Sequence, residues 1–281
     1  MGDGDGWVGC VLGHRHWGRH GAAGLLLSAG DDILLQHRSP LTHEGGTWAL
    51  PGGARDSGED VVQTALREAE EEAAIDPSSV RPIAVSVVNH GGWSYATVLA
   101  EVAGRIDARA ANWESDDIAW WPRSQVDGLA LHRGFAASWP LLREPMPGLT
   151  VVVDAANVVG ARPDGWWRDR PAAADRLFEQ LLGLARRGVS GTAADRLPRI
   201  VLTVEGDVAR RPPRARTTQW WERAVEVRAA RGSGDDAVVA EAGASAGDVV
   251  VISADRGLRA RLPGHVVAHG PQWLLDRLSA A

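Results

Sequence analysis

GARDSGEDVVQTALREAEEEAAI, residues 53–75, is the most distinctive stretch of this chain. If the stretch is helical, Glu68, Glu71 and Glu72 stand at positions i, i+3 and i+4 and share one face within a turn. Like charges so close repel one another and weaken a helix unless a counter-charge compensates them. Mg²⁺ and Mn²⁺ are hard cations that prefer carboxylate oxygen. The stretch therefore predicts a helix that carries a divalent metal site.

The glycine, arginine and glutamates of this stretch are spaced in an order that resembles the Nudix box: Gly53, Glu59, Arg67, Glu68, Glu71 and Glu72. Ala74 departs from the pattern, because it stands where the family has a glycine. Alanine is small and compatible with a helix, so we expect the loop–helix–loop to survive with an altered C-terminal turn. We expect the helix to run from about Gly58 to Ala73, with Ser57 as N-cap and Asp60 at the capping-box position.

The resemblance covers residues 20–145 and implies an α/β fold, the mixed-sheet α/β/α sandwich of the Nudix family. It implies a pyrophosphohydrolase, in which water attacks a diphosphate linkage of a nucleoside diphosphate derivative or nucleoside triphosphate with Mg²⁺ or Mn²⁺ as cofactor. The general base stays open among the box glutamates and three later acids, Glu114, Asp116 and Asp117. The site residues that the resemblance implies are the metal ligands Glu68, Glu71 and Glu72 with the Gly52 carbonyl, Arg67 to orient a glutamate, and Glu59 in a supporting position.

Composition indicates an intracellular protein with two domains. The chain has 281 residues, all of its basic residues are arginine, and Cys10 is its single cysteine, which excludes an internal disulfide. The acidic N-terminus lacks the pattern of a secretory signal, and no apolar run could span a membrane, so we expect a soluble, cytoplasmic protein.

The domain boundary is predicted in PLLREPMPG, residues 140–148, because its prolines and glycine interrupt helix and strand. The part before it is net acidic and the part after it net basic. We therefore expect a Nudix domain with an N-terminal arm at residues 1–145 and a second α/β domain at 146–281.

Within the first domain, aromatic residues are candidates to stack on a nucleotide base: Trp48, Trp93, Tyr95 and Trp120. The commoner role of such residues is structural, and both readings stay open. The run CVLGHRHWGRH contains Cys10, His14, His16 and His20, but its spacing matches none of the usual zinc-finger patterns. We expect this run to form an arm packed over the domain. Strands are predicted at 22–28, 32–38, 82–88, 94–102 and 117–121, with a closing helix at 134–142.

The second half alternates strands with helices and predicts a doubly wound parallel sheet. Strands are expected at 149–154, 199–205, 225–229, 248–253 and 265–269, with helices between them. If their order is 3-2-1-4-5, four acids gather at the carboxyl edge of the sheet: Asp154, Asp235, Asp236 and Asp255. The segments VVVDAANVVG, GSGDDAVVAEA and VVISADRGLRARL resemble PIN-like domains of the NYN type. That resemblance implies a metal-dependent nuclease in which these acids hold Mg²⁺ or Mn²⁺ and Asn157 assists.

Alternatives remain for this half. An aspartate at the end of a strand is often a helix cap, as Asp255 before Arg256 would be. The segment 210–231 interleaves arginines with Trp220 and Trp221, which suits single-stranded RNA, although a solvated loop has the same composition. The function classes that follow are a nucleotide pyrophosphohydrolase, an RNA-processing ribonuclease, and a non-catalytic nucleotide sensor.

Overall fold

The computed structural model describes residues 2–163, 165–215 and 218–279. The described chain separates into two compact units. The first extends to Met146 and includes Thr192–Asp195, and the second holds Pro147–Gly191 and the residues from Arg196 onward. None of the helices in the described ranges has the length and apolar character that crossing a membrane requires.

The strands of both units are short, from two to nine residues. They are β1 (Trp7–Gly9), β2 (Arg15–Trp17), β3 (Ala22–Ala29), β4 (Asp32–Arg38), β5 (Trp48–Ala49), β6 (Gly52–Ala54), β7 (Arg81–Asn89), β8 (Ser94–Glu101), β9 (Ser115–Pro122), β10 (Leu149–Asp154), β11 (Asp195–Arg196), β12 (Arg199–Val204), β13 (Val225–Ala229), β14 (Asp248–Ile252) and β15 (Val267–His269).

The helices divide between the units. They are α1 (Val61–Ala73), α2 (Arg133–Leu142), α3 (Ala155–Gly160), α4 (Arg170–Arg187), α5 (Gly206–Arg210), α6 (Trp220–Arg223), α7 (Gly234–Ala244), α8 (Arg256–Ala260) and α9 (Pro271–Ser279), with 3₁₀ turns at Pro77–Ser79, Arg123–Gly128 and Trp166–Arg168.

The first unit is built on a mixed sheet in the order β11-β7-β8-β3-β4-β5, with β6 beside β3 and β9 beside β4. The central pair β3 and β8 is parallel, whereas β7–β8 and β3–β4 are antiparallel. Leu26 of β3 lies in a core cluster with Phe135 and Trp139 of α2. Helix α1 packs against β3 and β6. The strands and closing helix predicted for this half are confirmed, with bounds shifted by one or two residues.

Helix α1 begins later than predicted, at Val61 rather than Gly58. Asp60, not Ser57, is its N-cap, and the carboxylate of Asp60 accepts hydrogen bonds from the N–H groups of Val62 and Gln63. The Gln63 side chain in turn accepts a 2.9 Å hydrogen bond from the Asp60 N–H, which completes a capping box. The predicted cap was wrong because Gly58 adopts φ +87°, which keeps residues 56–59 in a turn before the helix.

The second unit contains a parallel five-stranded sheet in the order β13-β12-β10-β14-β15. When the five strands of this sheet are numbered along the chain, their order is 3-2-1-4-5, the order for which the acids were predicted to gather at one edge. One core cluster joins the sheet to α4 and α9, through residues such as Leu181 and Leu274, and a separate cluster joins Val152 to Val238 of α7. Helices therefore cover the sheet on two sides, and the carboxyl ends of β10 and β14 are neighbours.

Candidate functional site

Arg67 lies at the centre of an ion-pair network on α1. Its Nε lies 2.8 Å from Oε1 of Glu59. Its Nη1 lies 2.8 Å from Oε1 of Glu68 and 3.3 Å from Oε2 of Glu71. Its Nη2 donates a 3.0 Å hydrogen bond to the carbonyl oxygen of Ala54. The guanidinium therefore ties α1 to the loop that precedes it, and these partners raise the pKa of Arg67 further, the hydrogen bond to Glu59 most of all.

Glu59 is engaged by protein partners. Besides Arg67, its carboxylate accepts a 2.9 Å hydrogen bond from the Thr64 hydroxyl and a 3.2 Å bond from the N–H of Asp56. Burial alone raises the pKa of this carboxyl, but the hydrogen bonds from Arg67 and Thr64 outweigh burial and hold the pKa below its usual range. Glu59 thus stays ionised and anchors Arg67.

Glu68 and Glu72 lie in a far less compensated environment. Glu72 is 2% exposed, and its Oε2 accepts a 2.8 Å hydrogen bond from the N–H of Gly52. Burial raises the pKa of Glu72 to about 8 and that of Glu68 to about 7, and Arg67 offsets this only in part for Glu68. Glu71 is more exposed than either. Carboxylates in such partly desolvated surroundings supply hard oxygen donors, so the donor set fits Mg²⁺ or Mn²⁺.

Two glycines let the loop before α1 approach these carboxylates. A Cβ on Gly53 would lie 2.6 Å from Oε1 of Glu68. A Cβ on Gly52 would lie 2.5 Å from the carbonyl oxygen of Ala23, because β6 pairs with β3 at this point. A side chain at position 53 would force the loop away from the helix, and one at position 52 would force β6 away from β3.

Gln36 and Ser115 belong to this site although the sequence pattern did not single them out. Gln36 of β4 is fully buried, and its Nε2 donates a 2.7 Å hydrogen bond to the Ser115 hydroxyl. That hydroxyl donates to the Glu72 carbonyl oxygen at 3.2 Å, and the Gln36 side chain lowers the pKa of the Glu72 carboxyl. In the sequence, the one sign of this role was the polar glutamine that follows the apolar residues of DILLQHR.

The three acids considered as general base differ in their surroundings. The charge of Glu114 reaches the carboxylate cluster and raises the pKa of both Glu68 and Glu72. Asp116 and Asp117 are exposed, and Oδ1 of Asp117 accepts a 2.8 Å hydrogen bond from the N–H of Ile118.

Among the aromatic residues predicted to contact the substrate, Tyr95 is affected by the charge of the carboxylate cluster. Burial raises the pKa of its hydroxyl, and the charge of Glu72 raises it further, so the phenol stays neutral beside the carboxylate cluster. Gly24 of β3 provides the room, since a Cβ there would collide with the Tyr95 hydroxyl.

The predicted tryptophans have structural contacts. The Trp48 ring packs 5.3 Å from that of Trp121 against the core. The Trp93 ring stacks on His16 at 3.9 Å, so the N-terminal arm covers it. The Trp120 Nε1–H donates a 3.1 Å hydrogen bond to a backbone carbonyl. These contacts give each ring a structural role, and stacking on a nucleotide base stays a prediction.

In the second unit, Asp154 and Asn157 form a network at the carboxyl end of β10. Oδ2 of Asp154 accepts hydrogen bonds from Asn157 Nδ2 at 2.7 Å and from the Ser253 hydroxyl at 3.0 Å. Oδ1 of Asn157 accepts one from the N–H of Ala254 at 3.1 Å. The network joins the ends of β10 and β14, as the strand order requires.

The charges of Asp154 and Asp255 reach Asp235. Burial raises the pKa of Asp235, and the charges of Asp255, Asp154 and Glu205 add to the effect. Glu205, at the end of β12, was not among the predicted acids. Asp236 forms an ion pair with an arginine, Arg261.

Two of these acids also cap helices. Oδ1 of Asp255 accepts a 2.8 Å hydrogen bond from the N–H of Leu258, which makes Asp255 the N-cap of α8 as the alternative reading expected. Asp154 caps α3 in the same way through the N–H of Asn157.

The tryptophan pair proposed to stack on RNA bases lies against the protein. Trp220 is 5% exposed, and Trp221 packs on the core with the Arg186 guanidinium 4.3 Å from its ring centroid. Burial of Trp220 contradicts the prediction that this ring stacks on a base, whereas Trp221 is only partly buried and its stacking stays a prediction. Arg216 of the same segment lies outside the described residues.

The site geometry agrees with comparisons to known proteins. The NUDIX domain model matches residues 18–144. A Mycobacterium tuberculosis protein named "Putative 8-oxo-dGTP diphosphatase 3" is 48% identical over 153 residues, which cover 50% of this chain and 70% of the relative. A Bifidobacterium longum nucleoside triphosphate pyrophosphatase/Nudix hydrolase fusion protein is 40% identical over 146 residues, 49% of this chain and 30% of that protein.

Among solved structures, RenU, a Nudix hydrolase from M. smegmatis, is 46% identical with a TM-score of 0.46, covering 50% of this chain and 93% of that one. The residues that the family model matches, 18–144, include the glutamate-rich helix and its glycine loop. Through these residues, the chain belongs to the Nudix family of hydrolases.

Proposed function

We propose that the first unit hydrolyses a diphosphate linkage in a nucleoside triphosphate or nucleoside diphosphate derivative with Mg²⁺ or Mn²⁺. The observation that carries the proposal is the pair formed by buried Glu72 and half-buried Glu68, both held against the Gly52–Gly53 loop. Oxidised purine nucleoside triphosphates are the first substrates to test, because a relative of 48% identity is named for 8-oxo-dGTP.

Each residue of the cluster has a proposed role. Glu68, Glu71 and Glu72 would hold the cation, together with the Gly52 carbonyl oxygen. When bound, the cation neutralises charge on the phosphates and lowers the pKa of water. Arg67 is a positioning residue, since its fork fixes Glu68 relative to Glu59.

Glu114 is our choice of general base. It is an acid outside the box whose charge reaches the cluster, and it lies in the loop that leads into β9. A carboxylate there would take the proton from the attacking water, provided that water lies within hydrogen-bond reach.

A substrate panel tests the proposal. Purified protein with Mg²⁺ or Mn²⁺ is given 8-oxo-dGTP, ordinary nucleoside triphosphates, dinucleoside polyphosphates, nucleotide sugars and dinucleotide cofactors. Release of a nucleoside monophosphate from one class, absent in Glu72→Gln, supports the proposal. Ligand binding with no turnover in either metal would instead favour the nucleotide sensor.

A second candidate function is a PIN-like, NYN-type nuclease in the second unit. It is favoured by Asp154 at the carboxyl end of β10, whose charge reaches Asp235 together with that of Asp255, and by the hydrogen bond from Asn157 to Asp154. RNA would be the substrate and Mg²⁺ or Mn²⁺ the cofactor.

Cleavage of single-stranded RNA tests the second candidate. We expect cleavage to be lost in Asp154→Asn and retained in Glu72→Gln and in Asp175→Asn, an exposed aspartate on α4. Equal cleavage by wild type and Asp154→Asn would assign the activity to a contaminant and remove this function.

A further inference from the structure

A cysteine and three histidines gather at the end of the first unit where the N-terminal arm meets the turn between β7 and β8. Cys10, His14 and His16 come from the β1–β2 hairpin, and His90 follows β7. One ligand atom from each side chain lies within 4.8 Å of the other three. His20, the fourth residue of the sequence run, is not in the group. We propose that Cys10, His14, His16 and His90 bind one Zn²⁺ ion.

The spacing of the donor atoms supports coordination. Nδ1 of His90 and Nε2 of His16 lie 3.1 Å apart. In tetrahedral zinc sites Zn–N bonds are about 2.0–2.1 Å, so two ligand nitrogens lie about 3.3 Å from each other. The two rings thus already stand at nearly the separation that a shared cation requires.

The backbone of the hairpin fixes three of the donors. The Cys10 N–H donates a 3.0 Å hydrogen bond to the His14 carbonyl oxygen, which closes the hairpin at this pair. His14 and His16 are two residues apart in extended chain, so their side chains leave the same face. Three ligands are thus grouped before the rest of the domain contributes.

The fourth donor is brought in by a close approach of two turns. The Val11 N–H donates a 3.0 Å hydrogen bond to the carbonyl oxygen of Gly91. Gly91 has φ +69°, and a Cβ there would collide with the Val11 side chain. Glycine is therefore needed at position 91 for His90 to reach the hairpin.

One thiolate and three imidazoles form a donor set that suits Zn²⁺, whereas Mg²⁺ prefers oxygen. Four protein ligands leave no open position, so the role is structural. Two-stranded hairpins are marginally stable alone, and β1 and β2 have three residues each. The ion would fasten the arm to the turn that precedes Trp93 and Tyr95, so it would hold the edge of the nucleotide site.

Cobalt substitution tests the proposal independently of hydrolysis. Full-length protein is stripped of metal with a chelator, dialysed against Mg²⁺, and titrated with Co²⁺ while absorption is recorded. Zinc affinity is then measured by competition. Variants are Cys10→Ser, His90→Asn, His20→Asn as the matched control outside the group, and Glu72→Gln to disable the oxygen-ligand site.

We expect wild type to show the thiolate-to-cobalt band and the strong visible bands of tetrahedral Co²⁺ at one equivalent. Cys10→Ser should lose the thiolate band, and His90→Asn should bind zinc at least about tenfold more weakly. His20→Asn and Glu72→Gln should match wild type. Absence of the thiolate band in folded wild type, or an undiminished zinc affinity in His90→Asn, would overturn the proposal. Circular dichroism confirms that each variant is folded.

Discussion

The N–H of Gly52 donates a 2.8 Å hydrogen bond to Oε2 of Glu72, a residue 20 positions later in the chain. This bond joins the glycine loop to the helix that carries the acidic cluster. Glu72 is 2% exposed, and the hydrogen bond from the Gly52 N–H offsets only part of the cost of removing its charged carboxylate from water. Burial therefore raises the pKa of Glu72 to about 8.

The first prediction concerns the stability of metal-free protein. The folded chain keeps a proton on Glu72 up to about pH 8, whereas the unfolded chain releases it near pH 4.5. The free energy of unfolding should therefore fall as pH rises between these values, by up to roughly 1.4 kcal/mol per pH unit for such a group. Glu72→Gln should remove much of this slope in chelator-treated protein, measured by urea unfolding.

Glu70→Gln is the matched control for this experiment, because Glu70 lies on the same helix but is exposed. Its slope should equal that of wild type, and Mg²⁺ should stabilise wild type most at high pH. A Glu72→Gln slope identical to wild type would contradict the raised pKa.

The second prediction concerns Arg67→Lys. A lysine ammonium is a point charge and cannot reach Glu59, Glu68 and the Ala54 carbonyl together, as the guanidinium does. We expect the free energy of unfolding to fall by about 1–3 kcal/mol in urea titrations. Arg81→Lys, in a half-exposed pair with Glu101, should change it by less than about 0.5 kcal/mol. Equal losses of unfolding free energy in the two variants would mean that the Arg67 network stabilises the fold no more than a surface ion pair does.

The third prediction concerns the residue that departs from the family pattern. Ala74 adopts φ 54° and ψ 34°, a left-handed conformation that costs a non-glycine residue about 1–2 kcal/mol. Ala74→Gly should raise the free energy of unfolding by about 0.5–1 kcal/mol after the entropy of glycine in the unfolded chain is counted. Ala73→Gly, one residue earlier within α1, should lower it by about 1 kcal/mol. Destabilisation by both changes would refute the strain at position 74.

The fourth prediction concerns the general base. Glu114→Gln should lower kcat by about 10²–10⁴-fold with KM little changed, as expected for a proton acceptor. Asp116→Asn, two residues later and exposed, should leave kcat close to wild type. Steady-state kinetics at saturating metal decide this, and a larger loss in Asp116→Asn would transfer the role.

Local sequence patterns predicted much of the fold because they report local physics. The spacing of Glu68, Glu71 and Glu72 predicted the helix face, and the alternation of strands with helices predicted a parallel sheet in the second half. The start of α1 was misplaced because Ser57 and Asp60 are both good caps, and the side chain at the third helical position decided between them.

Long-range contacts were beyond these patterns. His90 is 74 residues from His16 and Ser115 is 79 residues from Gln36, and nothing local marks either pair. The inward direction of Trp220 depends on packing against the sheet, which composition cannot show. The hydrogen bond from Arg67 to the Ala54 carbonyl oxygen likewise depends on the path of the loop before the helix.

We propose that the α1 carboxylates form a metal-dependent hydrolytic centre. Release of nucleoside monophosphate from 8-oxo-dGTP in Mg²⁺, measured for wild type, Glu72→Gln and Glu70→Gln, tests this proposal. We expect product from wild type and Glu70→Gln, and a fall of several kcal/mol in transition-state stabilisation, about 10³-fold or more in rate, for Glu72→Gln. Equal turnover by wild type and Glu72→Gln would contradict it.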